Sequence, residues 1–149
     1  MIMSFKRVIS LVFMVMFFSS CSITRNVQTA ANQIENGSLI CIEVNPRVTE
    51  PDILNVIEQS IVRNGFFAER HTKAPDTCEL KLTYVAYRKW DITTFLSQAS
   101  INLYKNSQLI GNIEYKTPTG LVGAGGINPA KWDSTEEKIA PLMNQLLNL

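Results

Sequence analysis

His71 is the only histidine in this 149-residue chain, and a side chain that titrates near neutrality is the natural place to look for a general acid or base. It stands between Arg70 and Lys73, just ahead of Pro75, and no serine lies in a G-x-S-x-G turn that would supply a nucleophile beside it. Cys41 and Cys78 belong to no paired His or Cys ligand motif of the zinc kind, so no metal and no cofactor is assigned. The glycines at 120, 123, 125 and 126 suggest a phosphate cradle, but G-x-G-x-x-G would need glycine at 128, which is Asn128, and no Walker lysine follows, so no nucleotide is expected. Two Trp-Asp pairs remain, Trp90-Asp91 and Trp132-Asp133. Exposed indole rings stack on sugars while a carboxylate accepts their hydroxyls; the competing reading has Trp90 closing a strand and Trp132 capping a core.

These groups are carried by an ordinary globular composition. Hydrophobic residues make up 46% and charged residues 18%, with 7 Gly and 6 Pro, which excludes collagen-like and disordered chains. A formal net charge of +1 gives no electrostatic case for nucleic acid.

Lys6 and Arg7 precede an apolar run over residues 8–18 broken only by Ser10, the n-region and h-region of an export signal. Eleven helical residues reach about 16 Å, roughly half of what a bilayer core requires. Phe18-Ser19-Ser20-Cys21 then resembles the lipobox of bacterial lipoproteins, and Ser22 stands where an Asp would resemble the inner-membrane retention signal. The resemblance implies a signal peptide over residues 1–20, a palmitate-type lipid on Cys21, and the periplasm-facing leaflet of the outer membrane. With Cys21 acylated, Cys41 and Cys78 are an even pair in an oxidising compartment, and a disulfide between them is expected. An ordinary cleaved signal would instead leave Cys21 as an odd thiol.

Residues 21–38 are rich in Asn, Gln, Thr and Ser and read as a polar tether, leaving 39–149 as one domain. Alternation predicts strands over 39–44, 66–70, 79–90, 95–104 and 109–116, the last two joined by a turn at Lys105-Asn106-Ser107-Gln108. Thr49 and Asp52 suggest a cap for a helix starting at Glu50, with Ile53, Leu54, Ile57, Ile61 and Val62 on its buried face and Asn64-Gly65 ending it. Ser134 and Glu137 form a second capping box ahead of a helix containing Pro141. The order strand-helix-strand-strand-strand-strand-helix predicts an α+β two-layer sandwich, a mostly antiparallel sheet with both helices on one face.

Ile40-Cys41-Ile42 leading to Asn45-Pro46, Cys78 ahead of Leu82-Thr83-Tyr84 and Trp90-Asp91, and Gly125-Gly126 running into Lys131-Trp132 and Glu136-Glu137-Lys138-Ile139 together resemble a family of small uncharacterised lipoproteins of proteobacteria. That resemblance implies an envelope location and the cysteine pair, and transfers no catalytic residue. The expected function is binding or scaffolding on an envelope protein partner, with membrane attachment through the N-terminal lipid and no enzymatic activity. Tyr87, Arg88, Trp90, Asp91 and Trp132 are the candidate binding face, Lys89 lying among them. The alternative is an envelope hydrolase or glycan-binding module with a site near Trp90, Asp91 and His71.

Overall fold

The protein is described by a computed structural model covering residues 23–118 and 128–148; Cys21 and the 120–126 glycine segment lie outside the described residues. Six strands and two α-helices follow the chain as β1 (Thr24–Gln28), β2 (Leu39–Glu43), α1 (Ile53–Arg63), β3 (Phe67–His71), β4 (Leu80–Trp90), β5 (Thr94–Lys105), β6 (Gln108–Lys116) and α2 (Thr135–Leu147). The class is α+β, and the strands form one sheet in the order β1-β6-β5-β4-β2-β3. The expected mostly antiparallel sheet is corrected to a mixed one, because β2 runs parallel to both β3 and β4. Helix α1 causes the first pairing: it carries the chain back along the sheet, so the next strand must enter from the same end. The second pairing follows because β3 and β4 flank β2, and the intervening loop crosses β2 to connect them.

The segment read as a polar tether is also corrected. Its residues 24–28 pair antiparallel with β6 from Thr24↔Lys116 to Gln28↔Asn112, adding an edge strand to the sheet. Beyond it Ala30 and Ile34 are buried, and the Ala30 backbone donates to the Leu146 carbonyl at 2.9 Å. Polar side chains hid this strand because an edge strand with one solvated face needs little apolar content; only Val27 among the five is even half-buried.

The core is one apolar cluster made by the inward rows of the sheet, including Ile40, Ile42, Leu82, Tyr84, Ile101 and Ile113, with the buried stripes of both helices. Along α1 these are Ile53, Val56, Ile57 and Ile61, whereas Val62 is 59% exposed and leaves the predicted face. Gly65, at φ +85°, ends α1 as expected: its N–H reaches the Val62 carbonyl and that of Phe66 the Ile61 carbonyl, a Schellman closure that turns Phe66 into the core. The helix begins at Ile53, later than its cap pattern suggested, with no side-chain cap from Asp52. The Ser134 and Glu137 capping box of α2 forms as read, and Pro141 lies within that helix on an exposed position. No helix among the described residues is long and apolar enough to cross a membrane.

Candidate functional site

Strand β4 alternates cleanly, burying Leu80, Leu82, Tyr84 and Ala86, until a bulge at Tyr87/Arg88 leaves Ser97 of β5 without an opposite residue. The Ser97 hydroxyl fills the gap by donating to the Tyr87 carbonyl at 2.9 Å, and its own carbonyl accepts from the Thr117 backbone at 2.8 Å. Beyond the bulge the β4–β5 hairpin leaves the shelter of the helices, and Tyr87, Trp90 and Ile92 are 56%, 74% and 65% exposed.

Under this apolar tip lies a group of buried charges. The Asp91 carboxylate meets the Lys131 ammonium, and Lys131, in a 3-10 turn over Pro129–Trp132, is 1% exposed. That ammonium also lies 4.7 Å from the Phe95 ring centre and 5.5 Å from that of Trp132, where ring faces stabilise a desolvated cation. The bond from Lys131 holds the Asp91 carboxyl below its ordinary range. Lys138, equally buried, donates to the Lys131 carbonyl at 2.6 Å and to that of Leu96 at 3.5 Å. Burial depresses its ammonium pKa and raises that of the Tyr115 phenol, whose oxygen meets the Thr117 hydroxyl at 2.6 Å. Glu50 completes the group, accepting from Thr135 at 2.8 Å and pairing with Arg88 at 3.1 Å. It was expected to open α1; instead it joins the loop before α1 to the start of α2.

The five residues assigned to a binding face therefore divide. Tyr87 and Trp90 are presented to solvent. Arg88 is itself exposed but is held by buried Glu50 at 3.1 Å. Asp91 is bound to Lys131, and Trp132 is half-buried against the same ammonium. Ile92 joins the exposed tip and was missed, because a lone isoleucine in a polar turn carries no periodic signal.

His71 belongs to a different part of the sheet. Cys41 and Cys78 are joined in a disulfide with Cα atoms 6.3 Å apart, the loop that crosses β2 bringing Cys78 onto Cys41. A ring nitrogen of His71 and both sulfurs lie within 4.8 Å of one another, the parallel β2–β3 pairing bringing the histidine to Cys41 from 30 residues away. His71 pairs with Glu43, one step beyond the Ile42↔Leu82 pair, which puts it level with Thr83 and about 26 Å of strand short of Asp91 at ~3.3 Å per residue. Trp90, Asp91 and His71 are thus not brought together, and a hydrolytic centre built on all three is corrected.

No family model matches the sequence, and no curated protein matches it. Among solved structures, the fold is similar to that of a PelC dodecamer from Paraburkholderia phytofirmans carrying a point substitution, with a TM-score of 0.54 and 8% identity over 86% of this chain and 99% of that one. A second PelC dodecamer structure from the same organism gives a TM-score of 0.53 and 9% identity over 82% of this chain and 99% of its own. At such identities the likeness is one of fold.

Proposed function

We propose that this chain is a lipid-anchored binding or scaffolding domain of the cell envelope, attached through Cys21 on the periplasm-facing side of the outer membrane and engaging an envelope protein with the tip of its β4–β5 hairpin. In this reading both helices cover one face of the sheet as a two-layer sandwich, and the hairpin projects past them. The observation that carries it is the contrast within a few residues: Tyr87, Trp90 and Ile92 stand more than half exposed directly above ammonium and carboxylate groups that are buried. Exposed aromatic and aliphatic groups on a rigid base are what interface anchors require, because little side-chain or loop entropy is lost on contact. The PelC dodecamers add support for association as the mode of action, and a second copy of this chain is one partner that the test must detect.

The edge strand changes the reach of such a module. Thr24 follows Cys21 by three residues, so a lipid there holds the β1 edge within about 10 Å of the bilayer, in place of the long tether expected for residues 21–38.

Capture from cross-linked envelopes by the full-length chain, followed by sizing of what is captured, tests the proposal. Trp90→Ala should abolish capture while stability changes by less than about 0.5 kcal/mol, as for any surface truncation. Undiminished capture by this variant overturns the reading.

A further inference from the structure

We propose that Cys41, His71 and Cys78 form a binding site for Zn²⁺ when the disulfide between the two cysteines is open. The two sulfurs and a ring nitrogen of His71 already lie within 4.8 Å of one another. Tetrahedral zinc, with bonds of about 2.3 Å to sulfur and 2.0 Å to nitrogen, needs ligand atoms separated by roughly 3.3 to 3.8 Å. Breaking the sulfur–sulfur bond lets the two thiolates move to that spacing by side-chain rotation alone, since cysteines 6.3 Å apart at Cα belong to elements fixed by the sheet and its crossing loop.

Three further features suit a cation. His71 Nε2 is buried and makes no hydrogen bond among the described residues. The Glu69 carboxylate stands 3.5 Å from that nitrogen, close to one edge of a zinc tetrahedron, and its side chain is exposed enough to turn into the fourth position. A cavity of about 430 Å³, lined by Glu69, His71, Cys78 and Glu79 among others, opens the corner to solvent and gives the ion an entry path.

The exchange balances. A dithiol donor reduces the Cys41–Cys78 bond, passing two electrons and two protons to it and becoming a disulfide itself. Zn²⁺ then forms two Zn–S bonds while both thiol protons leave to solvent, and neutral His71 contributes its lone pair. The same three residues thus hold either a covalent crosslink or a metal, and never both.

The full chain, reduced with a phosphine and titrated anaerobically with Zn²⁺ against a chromogenic chelator, should bind one ion, and the oxidised chain none. Co²⁺ in place of Zn²⁺ should give a thiolate-to-metal charge-transfer band in the reduced chain only. His71→Ala, which leaves both cysteines and the oxidised fold in place, should weaken zinc binding at least tenfold. Reduced wild-type chain that binds no zinc overturns the proposal. So does zinc binding that is equally tight in His71→Ala, the outcome expected of a loosened chain holding the ion through its cysteines alone.

Discussion

At the end of the sheet where β2, β3 and β4 begin, the polar face is closed by a covalent bond between Cys41 and Cys78, whereas at the far end the β4–β5 hairpin is held to the turn before α2 by the Asp91–Lys131 pair and the Lys138 ammonium. The first attachment acts mainly on the unfolded chain, whose loop it closes, and is indifferent to charge. The second acts only in the folded chain, by matching desolvated charges with carboxylate, carbonyl and ring faces, and its strength depends on which of them are ionised. Reductant should therefore weaken one end and pH the other.

Replacing both Cys41 and Cys78 by Ala gives the largest expected effect. With a sequence separation of 37, the chain-entropy relation gives a loss of about 4 kcal/mol, read as a lower denaturation midpoint. The variant should keep the pH dependence of the wild type; losing it would mean that the two ends are not independent.

A smaller loss is expected from Gly111→Ala, in the part of β6 near its turn. A Cβ there would lie 2.7 Å from a Leu146 methyl, 2.9 Å from the Gln28 carbonyl and 3.0 Å from the Ala30 Cβ, so β1, β6 and α2 cannot all keep their places. Overpacking of this kind costs about 1 to 3 kcal/mol, measurable by chemical denaturation, and the loss should persist after reduction.

The smallest expected change is one of slope at the charged end. The folded-state pKa of Lys138 lies below its unfolded value, so between the two the unfolded chain binds more protons and stability rises with pH. Lys138→Met should flatten this rise on the alkaline side when melting is followed against pH. For Asp91 the slope has the same sign but lies on the acid side: its folded pKa is depressed, so the stabilisation is complete above the unfolded value near 3.9 and is lost as pH falls through the folded one. Asp91→Asn should remove that acid-side loss, and an acid limb unchanged by the substitution would mean that the pairing with Lys131 does not set it.

The sequence was legible wherever local chemistry decides local shape. Asn64-Gly65 ended a helix because only a left-handed residue closes it, Ser134 and Glu137 capped one, and the alternation of β4 named its buried row. The turn at Asn106-Ser107, both at positive φ, was also visible as punctuation. What remained hidden depended on partners distant in the chain. Thr49-x-x-Asp52 looked like a cap, yet Glu50 finds Thr135 and Arg88. Lysine is among the residue types least often buried, so nothing in Lys131 or Lys138 announced that both would be enclosed. The site at His71 was illegible for the same reason, since its neighbours arrive through a parallel strand pairing and a crossing loop.

Strand β1 has a kinetic meaning. Thr24 pairs with Lys116 across 92 positions, so its docking closes a loop that holds every other strand, while four of its five side chains remain in solvent. Such a strand forms late and opens early, and its amides should exchange hydrogen well before those of β4 and β5. Each opening bares the outer backbone of β6, a ready template for a strand from another molecule. The first stretch of the described chain is therefore also its most exchangeable piece: the same five residues that complete one sheet can complete the sheet of a neighbour.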